Sequence, residues 1–344
     1  MTSVKRLSLA SFVLLSLCGP ALAQAPDAAA APPAAPVVTF GVVSFLEYNA
    51  DLHEQDQVNG FDVTRGYFNV KAQLSDRVRA QFTTDVRPTT DASLNTTLGL
   101  HLEYAYLDAK VNDNASIIFG MHETPWLTFE ESIDRYRVQG TMFAEREGLI
   151  PGPSDLGASV LVKGDMVDVH AGVYNGEGYG RAEMDKYKSL QGRVTVHPFS
   201  DADTNGSVRL TGFYSYGWYA KDRPRNVAIV MGSYENPNVA ATVQYLSAND
   251  NPFVTTTIQR KGLSIFGEGR QGLTGWAALG RVDFFDPDAS NDTDARRRYI
   301  FGGAHWSQVG RGRLGVVVTL EQLFSTVTAL KLDSKLLVQT HVEF

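Results

Sequence analysis

Eight charged residues crowd the span from Glu130 to Glu147: Glu130, Glu131, Asp134, Arg135, Arg137, Glu145, Arg146 and Glu147. Charges of both signs at this density can do two things. They can pair and fix a loop, or they can set up a field across a narrow, poorly screened aqueous passage and bias which ions enter it. The larger stretch that holds them, Pro125 to Leu156, contains no lysine, and its balance leans acidic. A second set, Arg65, Lys71, Arg79, Arg193, Arg209 and Arg281, falls on the polar positions of alternating segments, where long cations would line a water-filled interior. Asp85, Glu103, Asp168, Glu268 and Asp283 take similar positions and offset them.

Catalytic chemistry finds less to work with. His101, His170, His197 and His341 occupy the polar phase of separate segments, and no serine or carboxylate spacing picks out a catalytic set. His122 and Glu123, beside the charged stretch, are the first residues to suspect of hydrolytic work. The only cysteine, Cys18, lies in the leader, so the mature chain is expected to hold no thiol for a disulfide, a metal or a nucleophile. Asp201 to Gly206 imitates the start of a calcium loop, but the twelfth position is Gly212 where a bidentate acid is needed, so it reads as a turn. The run Asp286, Asp288, Asp292, Asp294 reads as a solvated loop, with a weak divalent-cation site as the alternative. No metal or cofactor is expected, and no basic run suggests nucleic acid.

Positioning falls to a repeating unit of about ten residues, apolar at one set of alternate positions and polar at the other. In the segment ending at Asp85 and Val86, Val78, Ala80, Phe82, Thr84 and Val86 share one face, and Arg77, Arg79, Gln81, Thr83 and Asp85 the other. Val167, Val169, Ala171 and Val173 likewise oppose Asp168, His170 and Tyr174, and Leu190, Gly192, Val194 and Val196 oppose Gln191, Arg193, Thr195 and His197. A soluble sandwich alternates in the same way. Aromatic residues such as Tyr104, Tyr106, Tyr214, Tyr216, Trp218, Trp276 and Phe284 end the apolar faces, as interfacial girdles would require. Tight turns at Ser75-Asp76, Asn112 to Asn114, Gly164-Asp165, Ser200 to Gly206, Asn236 to Asn238, Gln271 to Thr274 and Val309 to Gly312 alternate with longer connections. Those fall near Asp51 to Gly60, Pro88 to Thr97, Pro125 to Leu156, Asn175 to Asp185, Lys221 to Arg225, Asn249 to Pro252, Pro287 to Ala295 and Thr326 to Ser334. The rhythm predicts an all-β, transmembrane antiparallel β-barrel of about 16 strands, with Pro125 to Leu156 as its third and longest outer loop.

Both ends of the chain fit that expectation. Met1 to Ala23 reads as a signal peptide, with Lys5 and Arg6, an apolar run from Leu7 to Leu17, and Ala21-Leu22-Ala23 for cleavage after Ala23. Residues 24–36 form an alanine and proline tether, and the barrel is expected over residues 37–344. At the other end Leu336, Val338, Thr340, Val342 and Phe344 oppose Leu337, Gln339, His341 and Glu343. A last strand that alternates and stops on Phe344 is similar to the signal read by the outer-membrane barrel-assembly machinery.

Three segments resemble the phosphate-selective porin O/P family: GYFNVKAQLSDRVRAQFTTDV, LEYAYLDAKVNDNASIIFGMHETPW and DLGASVLVKGDMVDVHAGVYNGEG. The resemblance covers the first half of the mature chain. It implies a trimeric bacterial outer-membrane porin in outer-membrane lipid, whose third extracellular loop folds into the lumen and narrows the passage for small hydrophilic solutes or ions, anions among them. The family's phosphate selectivity rests on loop lysines, which this stretch lacks. The rival expectations are a structural or adhesive barrel with a plugged lumen, which would need long outer loops, and a barrel hydrolase.

Overall fold

The computed structural model describes residues 35–52, 59–89, 97–183, 186–201, 206–220, 222–253, 256–326 and 331–344. The expected leader with Cys18, nearly all of the tether, and the middle of the turn from Asp201 to Gly206 lie outside the described residues. Sixteen strands follow in order: β1 Val37–Asp51, β2 Asn59–Gln73, β3 Val78–Pro88, β4 Leu98–Lys110, β5 Ala115–Glu123, β6 Ser154–Lys163, β7 Val167–Tyr174, β8 Ser189–Asp201, β9 Gly206–Ala220, β10 Arg223–Glu235, β11 Val239–Phe253, β12 Thr256–Arg270, β13 Gly275–Asp286, β14 Arg296–Val309, β15 Gly312–Ser325 and β16 Lys331–Glu343. Each pairs antiparallel with its chain neighbours, and β1 pairs with β16 to close a barrel. Phe344 seals the seam, exchanging backbone hydrogen bonds with Val42 at 2.8 and 3.0 Å. Closure leaves no strand edge, the condition for a sheet in hydrocarbon, where an unpaired backbone group costs several kcal/mol (about the desolvation cost of one amide).

The alternation read from the sequence sorts residues to two faces, and the polarity is inverted relative to a soluble protein. Phe82, Val173, Val194 and Phe301 point outward and are exposed, whereas Asp85, His170, Thr195 and Gln244 point inward and are buried. Such a wall suits a bilayer outside and water or polar contacts inside. Tyr214, Tyr216 and Trp276 stand on the outer face as expected. Tyr104 and Tyr106 do not. A register shift between Thr83 and Thr84 resets the phase of β4, so both tyrosines face inward opposite Thr83 and Gln81, and Tyr106 Oη donates to Gln81 Oε1 at 3.0 Å.

Two outer connections are also shorter than the sequence suggests. The ladder of β10 and β11 continues through Arg225↔Asp250, so β9 and β10 are joined across residues 221–222, and β11 and β12 across 254–255. Asp222, at φ 61°, supplies the left-handed residue that a tight hairpin of this kind uses. Polar, proline-bearing composition made these strand ends look like loops.

Between β5 and β6 the chain leaves the sheet pattern. It forms α1 Leu127–Glu131, a 3₁₀ turn Arg137–Gln139 and α2 Phe143–Arg146. Trp126, Leu127, Phe143 and Ala144 are fully buried there. They pack with Phe213, Val227, Ile229, Met231, Leu246 and Phe285 from β9, β10, β11 and β13, while Tyr136 and Val138 join a second cluster around Phe266 and Trp306. Each large side chain removed from water contributes about 1.5–3 kcal/mol.

Candidate functional site

The segment between β5 and β6 makes polar or aromatic contact with nine consecutive strands, β8 through Arg193 on the Phe129 ring and β9 to β16 as follows. Trp126 meets Phe213 of β9, and Arg225 of β10 donates to Gly148 O at 2.6 Å. Gln244 of β11 donates to Glu130, Tyr136 Oη donates to Glu268 of β12 at 2.6 Å, and Phe143 stands edge-on to Phe285 of β13. Tyr136 also meets Trp306 of β14, Gln139 Nε2 donates to Glu321 of β15 at 2.8 Å, and Gln339 of β16 donates to Val138 O at 2.7 Å. All of these wall residues lie on the inner face. The inner faces of β1 to β7 take few such contacts and form the opposite arc.

The segment's arginines are paired. Arg135 donates to Glu268 Oε1 from Nε at 2.9 Å and stacks over the Trp306 ring at 4.7 Å. Arg137 makes a bidentate pair with Glu145 and reaches Glu131 at 3.3 Å. Arg146 approaches Glu321 at 3.6 Å and donates to Gln139 Oε1 at 3.1 Å; Gly140 beside it, at φ 148°, takes a backbone conformation that favours glycine. Glu147 pairs with Arg296. Burial pushes the Glu130 carboxyl up to about 7, against the pull of Arg281 and of hydrogen bonds from Gln244 and Trp126. Glu131 is pushed up to about 7 by burial as well, with Arg137 and then Arg65 opposing and Glu145 reinforcing. Asp134 is raised for the same reason, and burial lowers Arg146 to about 10.

Across from Arg137 stands a second charged group. Arg65 of β2 pairs with Asp85 of β3 at 2.5 Å, and Tyr179, from the connection after β7, closes over both. Its hydroxyl donates to Asp85 Oδ2 at 2.7 Å and accepts from Arg65 at 2.9 Å and Arg87 at 3.2 Å. Gly178, at φ 75°, gives the chain the left-handed step that turns Tyr179 down against the wall. The Arg65 charge opposes the upward shift of Glu131, so the segment and this wall patch lie within electrostatic reach of each other.

The remaining basic wall residues do not gather at one level. Arg193 and Arg281 are buried, Arg193 under the Phe129 ring at 4.0 Å and Arg281 against Asp283 at 2.9 Å, instead of lining an open interior. Arg209 pairs with Glu235 at 3.3 Å near the tight-turn end. Lys71 and Arg79, the latter paired with Asp108, line a cavity of about 450 Å³ with Gln81, Tyr106, Glu123 and Lys163. Sequence reading missed Tyr179, Arg87 and Tyr67. The glycine-rich run around Gly176 and Gly178 was the available sign that this connection bends back.

Two histidines, His122 and His170, meet at Ser159, a juxtaposition the spacing did not indicate. His122 Nδ1 donates to Gly120 O at 2.8 Å, which leaves Nε2 to accept from Ser159 Oγ at 2.8 Å, and His170 Nε2 lies 3.1 Å from the same hydroxyl. Pairing of β5, β6 and β7 brings the three together. His122 is fully buried and Ser159 only 3% exposed, so the serine is closed to a substrate. In the acidic connection after β13, Asp288 is engaged locally, accepting from Ser290 Oγ at 2.7 Å. Among the described residues no group of three or more histidine, cysteine or acidic side chains has metal-binding geometry.

Among solved structures the chain is similar to an anion-selective porin from Comamonas acidovorans, at 11% identity, with 90% of this chain and 99% of that chain covered and a TM-score of 0.62. The fold is the porin fold. OmpT, an outer-membrane protein of Vibrio cholerae, aligns at 12% identity over 91% of this chain and 99% of that chain with a TM-score of 0.60. Salmonella typhi OmpF, in complex with daunomycin, aligns at 11% identity over 89% and 97% with a TM-score of 0.60. No family model and no curated relative matches the sequence.

Proposed function

We propose that this chain is a bacterial outer-membrane porin, a passive channel for small hydrophilic solutes and ions. The observation that carries the reading is the segment between β5 and β6: it lies along the inner faces of β8 to β16 and holds Glu131, paired with Arg137, within electrostatic reach of Arg65, which pairs with Asp85 and Tyr179. Charges fixed by pairs on both sides of a water-filled gap select by size and by field without being consumed. In this reading the segment is the third extracellular loop, and Glu130, Glu131, Asp134, Arg135, Arg137, Glu145, Arg146 and Glu147 form or brace the constriction. The resemblance to phosphate-selective porins supports the channel but not the ligand, because the segment carries no lysine. Export by the leader, cleavage after Ala23, delivery through the assembly signal at Phe344 and a homotrimeric state belong to the same proposal.

A hydrolase draws on the Ser159 and His122 contact, but a buried serine offers no nucleophile. An adhesive barrel, which needs long outer loops, is disfavoured by strands β9 and β10 that end and begin at Ala220 and Arg223, and β11 and β12 at Phe253 and Thr256. The test is liposome swelling with neutral sugars of graded size: proteoliposomes should swell with small sugars and cease to do so above a cut-off. Swelling no faster than in empty liposomes would overturn the channel.

A further inference from the structure

Three consecutive arginines open β14, and the strand's alternation splits them. Arg296 and Arg298 face inward, where Glu147 and Glu321 neutralise them. Arg297 faces outward, at the end of the barrel that carries the longer connections. Its register partners are Phe284 on β13 and Phe324 on β15. The guanidinium lies 4.8 Å from the Phe284 ring centroid and 5.9 Å from that of Tyr299, and Nη1 donates to Tyr299 Oη at 2.9 Å. Tyr299 stacks on Phe301, which is exposed on the same outer face, and meets Phe324 edge-on.

Among the described residues no carboxylate pairs with Arg297; its Nε is buried against the rings, and Tyr299 Oη engages only Nη1, so the outer guanidinium N–H groups are left for a ligand. The nearest outward acid along β13, Asp286, sits in register with Lys261 on β12. A cation on the bilayer side of a barrel is tolerated near the interface and not at mid-membrane, and a ring-lined guanidinium that keeps free N–H groups is built to bind a planar or tetrahedral oxyanion.

We infer that Arg297, held by Phe284 and Tyr299, is a binding site for the phosphate of an anionic lipid headgroup in the outer leaflet. The rings take the first methylenes of the acyl region and the guanidinium takes the phosphate oxygens. A lipid is favoured over a dissolved anion because the site opens to the bilayer side of the wall, away from the interior. The inference rests on the membrane placement of the barrel but not on its conducting solutes.

The experiment is native mass spectrometry on delipidated, folded protein in neutral detergent, titrated with phosphatidylglycerol, with diacylglycerol of the same chains, and with inorganic phosphate. Wild-type protein should retain phosphatidylglycerol about tenfold more tightly than diacylglycerol, the scale of one charge-assisted contact. Arg297→Gln should lose that preference, while Arg297→Lys, which keeps the charge and guards against a folding defect, should retain part of it. Equal retention by wild type and Arg297→Gln overturns the site. Competition by inorganic phosphate at concentrations matching the lipid overturns the headgroup assignment, as does a preference that vanishes when protomers associate. A barrel that binds the lipid but fails to swell liposomes would separate this site from the channel.

Discussion

Glu130 ties the segment's chemistry to its packing. Its carboxylate accepts from Trp126 Nε1 at 2.8 Å and from Gln244, so one buried acid fixes a helix of the segment to β11. With its pKa raised from 4.5 to about 7 by burial, the docked segment holds a proton that an undocked one would give up. The sign follows from linkage: below about pH 4.5 both states are protonated and docking is at full strength, and as pH rises from there to about 7 docking weakens, with the loss complete above 7. Glu131 adds in the same direction. Reversal potential in a salt gradient should therefore move toward anion preference as pH falls from 8 to 5, and Glu130→Gln with Glu131→Gln should flatten that dependence. A pH-independent reversal potential in wild type would contradict it. Neutralising Arg135, Arg137 and Arg146 should shift wild-type selectivity toward cations at fixed pH, whereas an unchanged potential would make them purely structural pairs.

At the scale of elements, the segment is held by aromatic anchors more than by charge. Trp126→Ala removes a fully buried indole and its hydrogen bond to Glu130, a change costing about 3–5 kcal/mol. Thermal melting of the segment's near-ultraviolet signal should drop, while the barrel's β-signal persists because its ladder is untouched. Loss of both together would mean that the segment is needed to form the barrel. The strands were legible in the sequence because each face has a constant environment, so Val167 to Val173 or Leu190 to Val196 alternate cleanly. Where a third element covers the inner face the alternation fades. Val227, Ile229 and Met231 turn inward under the segment while Ala228 and Val230 turn outward, giving an unbroken apolar run whose meaning is visible only once the segment is placed. Tyr104 was misread because a one-residue register shift has no composition of its own, and Ser159 with His122 and His170 because strand pairing, not spacing, joins them.

For the whole molecule, a closed sixteen-strand wall with an apolar exterior and a polar interior has one natural solvent arrangement, lipid outside and water within. The segment fills part of that interior against β8 to β16 and leaves the arc with Arg65, Asp85 and Tyr179 to face it. On the proposed function a water-filled passage persists between them. Single-channel recording of the purified protein in a planar bilayer reads that passage: discrete conductance steps are expected, enlarged in Trp126→Ala, and a folded barrel that inserts yet gives no steps would mean that the interior is closed.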